Sequence, residues 1–215
     1  MTTAAPAKRN RTRVALLTAL QELLLDPAAP AISVPQVVSR CGVSQGTFYN
    51  YFESLPHAID AVGALILAEH ARVLEAVTAD AADEAELVSR SARQTFMLMA
   101  HRPDVGRLLF DSGLPADRFG DGVRAHLYGD LRRGVDAGVF TVPDFEVTCT
   151  VCAGVILGAS LDLYRGRLPA DAIPAITGQL LGLLGVSRRT ARRLVSAPQE
   201  FAPWQPLPLS PVEEP

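Results

Sequence analysis

The segment from Ser33 to Phe52, SVPQVVSRCGVSQGTFYNYF, restricts the possible folds of this chain more than any other part of it. Its first half places apolar residues on one helical face, at Val34, Val37, Val38 and Cys41. Gly42 favours the left-handed conformation that ends a helix, and Ser44 is a good N-cap for the next helix, which contains Phe48 and Phe52. Two helices of about eight residues joined in this way predict a helix-turn-helix.

The rest of the chain shows helical rather than strand periodicity, and alanine and leucine are abundant. We therefore predict an all-α protein with an N-terminal three-helix head and a larger helical body. The expected divisions are a flexible basic leader (1–10), the helix-turn-helix head (11–54), the body (55–197) and a proline-rich tail (198–215). The helices of the chain are expected at 13–25, 34–41, 45–52, from 55 onward, 84–101, 103–110, 118–137, 145–165, 170–184 and 187–195.

The charge distribution favours DNA binding by the head. Residues 1–57 carry five basic and three acidic side chains, whereas the remainder carries 15 basic and 20 acidic ones. A positive head on an acidic body is expected of a protein whose head contacts phosphates. A solvated basic tail explains the same charges, so charge alone leaves both interpretations open.

Composition and motifs disfavour several other classes of protein. Three unevenly placed cysteines do not form a disulfide framework, so we expect a reducing, cytoplasmic location. The leader lacks the apolar segment of a secretory signal, and the longest apolar run, Val151–Leu161, is about half of a membrane span. We also expect no enzyme, cofactor or metal site, because the common catalytic and phosphate-binding motifs are absent. Cys149 and Cys152 are interpreted as small buried helix residues rather than as a zinc or redox pair.

The segment Gly42–Phe52, GVSQGTFYNYF, resembles the recognition-helix pattern of the tetracycline-repressor (TetR) family of bacterial transcriptional regulators. That pattern, Gly-Val-Ser-x-Gly-Thr-x-Tyr-x-(His/Tyr)-Phe, is matched at every position, and the resemblance extends over residues 11–66. The chain differs from the family where Pro27-Ala28 replaces a glycine, Val38 an alanine and Leu55 a lysine. The resemblance implies a homodimer that binds a palindromic double-stranded DNA operator.

The resemblance also implies a role for individual residues of the head. Gln45 and Asn50 are expected to read bases, and Gly46 is expected to let the helix approach DNA closely. The residues expected to contact the DNA backbone, or to support that contact, are Thr47, Tyr49, Tyr51, Ser33 and Arg13. The alternative for Tyr49 and Tyr51 is an ordinary amphipathic pair.

In the body, the resemblance implies an effector pocket and a dimer interface. The expected pocket residues are Phe96, Met97, Met99, Phe110, Phe119 and Tyr128, a set that suits a small, fairly apolar molecule. Small residues one turn apart in the last two long helices predict the interface at Gly154, Gly158, Gly178 and Gly182. Close helix packing within one chain is the alternative for these glycines.

The sequence therefore predicts a DNA-binding transcriptional regulator, and specifically a repressor released by a small effector. The alternative function is a small-molecule carrier or a protein-interaction module that retains an unused helix-turn-helix.

Overall fold

A computed structural model describes residues 4–26, 32–111 and 116–202, and within these ranges it leaves the side chains of residues 4–8 and 116–121 undescribed. The described residues form helices and no strand, which confirms the all-α prediction. The helices are α1 (Ala4–Leu25), α2 (Val34–Cys41), α3 (Gln45–Tyr49), α4 (Leu55–Thr78), α5 (Glu84–His101), α6 (Pro103–Phe110), α7 (Ala116–Asp136), α8 (Phe145–Tyr164), α9 (Ile173–Leu183) and α10 (Arg188–Ser196). A short 3₁₀ helix, Ala170–Ala172, precedes α9.

Two helices of the head differ from the prediction. The first helix begins at Ala4, so most of the expected leader is helical, because alanines are strong helix formers and Pro6 lies in the first turn, where proline is tolerated. The recognition helix α3 ends at Tyr49, and the backbone N–H of Asn50 donates to the carbonyls of Gly46 and Thr47. Pro27-Ala28 and residues 203–215, with most of the proline-rich tail, lie outside the described part of the chain.

Local capping sets the angle between α2 and α3. Gly42 ends α2 with a φ of 64°, the left-handed conformation that a side chain would strain. The Ser44 hydroxyl then accepts a hydrogen bond from the Thr47 N–H at the start of α3. In the same way the Ser54 hydroxyl accepts from the His57 N–H and begins α4. The helix-turn-helix geometry thus follows from contacts within four residues.

The core of the head joins its first three helices. The fully buried side chains include Leu16, Leu17 and Leu20 of α1, Val37 of α2 and Phe48 of α3. On the surface, Arg40 forms ion pairs with Glu22 at 3.0 Å and Asp26 at 3.8 Å, which tie α2 to the end of α1. These contacts fix the positions of α2 and α3 relative to α1.

The body is built around α5, which packs against α4, α7, α8 and α9. By length and composition α8 could cross a membrane, since its mean hydropathy is 1.6. This was not predicted from the sequence, because the longest apolar run within the helix is short. One face of α8 is nevertheless part of the core, where Cys149 and Cys152 are fully buried as expected. Its other face bears exposed apolar residues.

Two helices connect the body to the head. The N-terminal half of α4 buries Ala58 and Val62 in the same core as the head, and its C-terminal half packs against α5 and α7. A second contact runs from α6 to α1. Both α4 and α6 therefore contact the head as well as the body.

The chain after α10 lies along the outer face of α5. The side-chain amide of Gln94 donates to the carbonyl of Ala202 and accepts from its N–H. Arg93 donates to the Ala197 carbonyl at 3.0 Å, and Gln199 donates to the Arg90 carbonyl. These side-chain bonds tie the segment after α10 to α5.

Candidate DNA interface and effector cavity

The recognition helix presents a polar surface opposite a single buried ring. Phe48 is completely buried and fixes α3 on the head, whereas Gln45, Gly46 and Asn50 are exposed. Tyr49 is 55% exposed, and its ring meets the edge of Phe48 at 5.4 Å between centroids. An amide, a glycine and a phenol on one exposed surface suit a major groove, since amides pair with base edges and hydroxyls bind phosphates.

Three of the predicted contact residues also make local contacts within the head. The hydroxyls of Thr47 and Ser44 lie 2.9 Å apart, and Tyr51 is half-buried against the core. The Ser33 N–H and hydroxyl both donate to the side-chain oxygen of Gln36. These residues shape the start of α2 and α3, and their role toward DNA stays a prediction.

The structure places basic residues of α1 beside the turn that follows α3. The guanidinium of Arg13 lies 5.6 Å from the centre of the Phe52 ring, a cation–π distance. Arg9 and Arg11 are exposed on the preceding turn of the same helix. These three arginines therefore lie on one helix, and Arg13 is beside the turn that follows the recognition helix.

Leu55 is the first residue of α4, and it stands where the family pattern described above has a lysine. It is half-buried and packs against the core of the head. The N-terminus of α4 therefore carries an apolar side chain that packs on the head instead of a cation.

A cavity of about 290 Å³ lies in the body between five helices. Its described lining comes from α4, α5, α7, α8 and α9, and comprises Leu67, Ala68, His70, Ala71, Leu74, Val88, Ser91, Ala92, Thr95, Gly122, Val123, His126, Leu127, Asp130, Ile156 and Leu180. The volume is near the lower end of the range for ligand pockets. Most of the lining is apolar, and the polar groups are few.

The cavity shares α5 and α7 with the predicted pocket, but its described lining consists of other residues. Phe96 and Met99 are buried in the core, Met97 packs against it, and Phe110 stacks on Tyr164. Tyr128 is exposed and donates a hydrogen bond to Glu146. The side chain of Phe119 lies outside the described part of the chain. This difference between the predicted residues and the cavity lining has a packing reason, because large side chains fill space, whereas alanine, serine and glycine leave it open.

Among the described residues of the cavity, His70 has the pKa that departs most from its usual value, and no sequence motif marks this residue. Burial, with a smaller contribution from the nearby His126, lowers the pKa of His70 to about 4. Its Nε2 lies 3.0 Å from the Thr95 hydroxyl, which itself donates to the Ser91 carbonyl. Since that hydroxyl hydrogen is used, Nε2 is the donor in its contact with Thr95. The lowered pKa leaves the imidazole neutral at pH 7.

We expect the burial of His70 to make the protein less stable in weak acid. The unfolded chain binds a proton near pH 6.5 and the folded chain only near 4, so the free energy of unfolding falls as the pH drops through this window. The loss from this residue is about 2 kcal/mol between pH 7 and pH 5. Urea titrations of wild type and His70→Gln at both pH values measure it.

Between pH 7 and pH 5, the free energy of unfolding should change less in His70→Gln than in the wild type. In His101→Gln, at an exposed site on α5, it should change as much as in the wild type. Equal pH dependence of the His70→Gln variant and the wild type would contradict the assignment of a neutral buried imidazole.

The four predicted interface glycines face away from the protomer. A Cβ added at Gly154, Gly158, Gly178 or Gly182 meets no described atom within 4 Å. Close packing within one chain therefore does not explain them. Beside them lie Val147, Val151 and Leu183, which are 59%, 44% and 40% exposed. The α8–α9 face, defined by these seven residues, is smooth, apolar and uncovered in the protomer.

Comparison with known proteins places the body in a defined family. Residues 83–197, more than half of the chain, match the model of the tetracyclin repressor-like C-terminal domain. In a comparison with curated proteins, none matches the sequence.

Solved structures share the fold at low sequence identity. RolR in complex with resorcinol is 21% identical with a TM-score of 0.72, over 93% of this chain and 100% of its own. The fatty acid degradation regulator FadR from Bacillus halodurans is 15% identical with a TM-score of 0.63, over 79% and 94%. Reduced NemR from E. coli is 20% identical with a TM-score of 0.57, over 80% and 97%.

The match of the body to the family model, on a chain whose head is a helix-turn-helix, shows that this protein belongs to the tetracycline-repressor family of transcriptional regulators.

Proposed function

We propose that the protein is a homodimeric repressor that binds a palindromic operator in the cytoplasm and releases it when a small, largely apolar molecule enters the cavity. The observation that carries this proposal is the shared use of α4. This helix lines the cavity with Leu67, Ala71 and Leu74 and packs in the head through Ala58 and Val62. In this reading residues 11–54 are the DNA-binding domain and residues 55–197 the ligand-binding and dimerisation domain.

The head supplies the DNA contacts in this proposal. The exposed surface of Gln45, Gly46, Tyr49 and Asn50 enters the major groove, and Arg13 with its neighbours on α1 approaches the backbone. The negative net charge of the body leaves the positive head as the surface that DNA attracts.

Dimerisation is proposed through the α8–α9 face. Small residues let two helices approach closely, and a second copy of the face would bury its exposed valines and leucine. A two-fold dimer presents two recognition helices to half-sites about 34–36 Å apart, or somewhat further, which is why the operator is expected to be palindromic.

Release follows if the ligand prefers one spacing of the heads. A molecule in the cavity presses on α4 and α7, and α4 carries the change to the head. The shift in operator affinity equals the difference in ligand affinity between the two spacings. RolR, which has a similar fold, was solved with resorcinol, a molecule small enough for a cavity of this size.

Enrichment of genomic fragments on the purified protein, followed by gel shifts, tests the proposal. A repressor enriches a few fragments with two-fold symmetric sites, and added resorcinol or similar small molecules release them. A small-molecule carrier or protein-interaction module, the alternative, enriches no fragment above random DNA.

We expect base reading and backbone anchoring to separate within the recognition helix. Asn50→Ala should weaken the cognate site by roughly 1–3 kcal/mol and relax preference at one or two base pairs. Tyr49→Phe, which removes only a hydroxyl, should weaken cognate and scrambled sites by similar factors. Fluorescence anisotropy with both DNAs distinguishes the two. Equal losses on both sites for Asn50→Ala would place Asn50 outside the groove.

A further inference from the structure

We propose that the cavity selects neutral molecules with a hydrogen-donating hydroxyl group on an apolar ring and rejects carboxylates of the same size. This inference rests on the proposed function only in taking the cavity as the effector site. Selectivity follows from the distribution of polar and charged groups around the cavity.

The size and apolar lining of the cavity determine how large the apolar part of a ligand can be. A volume of about 290 Å³ has room for about ten water molecules, and hence for a ligand with a similar number of non-hydrogen atoms. Leu67, Leu74, Val88, Ile156 and Leu180 enclose it from four helices. A single apolar ring matches this volume and lining.

His70 and Thr95 form a polar pair on one wall. The His70 Nε2 donates to the Thr95 hydroxyl, which donates to the Ser91 carbonyl, so both hydrogens are directed into the protein. This chain of hydrogen bonds fixes the imidazole tautomer and turns the Nε2 and hydroxyl hydrogens away from the cavity. The pair therefore offers a ligand no hydrogen-bond donor.

Asp130 supplies a hydrogen-bond acceptor from α7. Its side chain is only 17% exposed. Arg133 donates to Oδ1 of Asp130, and a carboxylate has further acceptor positions on its two oxygens. The polar groups of the cavity thus match a ligand that donates hydrogen bonds.

A carboxylate ligand meets the opposite conditions. None of the described residues that line the cavity is a lysine or an arginine, and Arg133, which lies outside that lining, is already paired with the carboxylate of Asp130. Burial of an ionised carboxylate without a cationic partner is strongly unfavourable, because its lost hydration is not replaced. His70 does not supply that cation at pH 7, since burial lowers its pKa to about 4.

Three probes of matched ring size test the selectivity on the purified full-length protein without DNA. Phenol is neutral and donates a hydrogen bond, toluene lacks the hydroxyl, and benzoate is an anion at pH 7. Titration calorimetry should give the tightest binding for phenol, about tenfold weaker binding for toluene, and none for benzoate in the millimolar range. Benzoate binding as tight as that of phenol would overturn the inference, as would failure of phenol to bind at millimolar concentration.

Two variants assign the selectivity to the cavity. Asp130→Asn should weaken phenol about tenfold and leave toluene unchanged. The matched control is Asp136→Asn, on an exposed position of α7 outside the cavity lining, which should change neither. Unchanged phenol affinity in Asp130→Asn, with toluene binding as in wild type, would remove Asp130 from the site and contradict the inference.

The outcomes separate this inference from the proposed function. Phenol-selective binding that never releases operator DNA would support the inference and contradict ligand-controlled repression. Operator release by benzoate but not by phenol would support ligand-controlled repression and contradict the inference.

Discussion

Gly158→Trp is expected to yield a folded monomer that no longer binds its operator. Gly158 is exposed and nothing described lies within 4 Å of a Cβ at this position, so a side chain there begins outside the core of the protomer. In the proposed dimer the indole stands between two helices that pack through glycine. The expected loss of association is at least a hundredfold, or about 3 kcal/mol. Sedimentation velocity at micromolar concentration measures it.

The matched control for this prediction is Ala76→Trp, which adds the same side chain at an exposed position of α4 away from α8 and α9. It should remain dimeric and bind DNA as the wild type does. Circular dichroism should show native helix content in both variants. A wild-type protein that sediments as a monomer, or a Gly158→Trp variant that stays dimeric, would contradict the assignment of the α8–α9 face.

Gly46→Leu is expected to abolish operator binding while leaving the fold and the dimer intact. A Cβ at Gly46 meets only the Ser44 hydroxyl oxygen, at 3.8 Å, so the isolated head tolerates a side chain there. Leucine also favours a helix more than glycine does, by up to about 1 kcal/mol, so thermal stability should hold or rise. On DNA the new side chain occupies the space in which α3 approaches the groove. We expect at least a hundredfold loss of affinity.

Graded substitutions make the Gly46 test sharper. Gly46→Ala adds one carbon and should bind between wild type and Gly46→Leu, whereas Ala76→Leu, remote from the head, should bind as wild type. Anisotropy with operator DNA and thermal melts on the same samples give both readouts. Normal operator affinity in Gly46→Leu would show that α3 does not approach DNA at this residue.

The helical architecture was predictable because its determinants are local. Asp83, Asp144 and Ser54 cap α5, α8 and α4 through bonds to backbone groups three residues away. Predicted boundaries for α5 and α6 agree with the structure at both ends. The helix-turn-helix followed likewise from Gly42 and Ser44. The predicted start of α1 at residue 13 was wrong, because no capping residue marks where this helix begins.

The candidate cavity was not predictable from any local pattern. Its walls come from five helices, and Leu67 and Leu180 meet only after the chain has folded. Aromatic residues such as Phe96 were favoured for the pocket, yet large side chains pack into the core, and the space that remains is lined in part by Ala68, Ala71 and Ala92.

The sequence by itself determined the helices, their caps and the polar surface of α3, because each depends on residues within one or two turns. It also identified the glycines of α8 and α9 as unusual, since glycine costs about 1 kcal/mol inside a helix. Only the tertiary structure decided that these glycines face outward and that His70 faces a cavity. Both depend on which helix faces meet, and that is set by the packing of distant segments into one core.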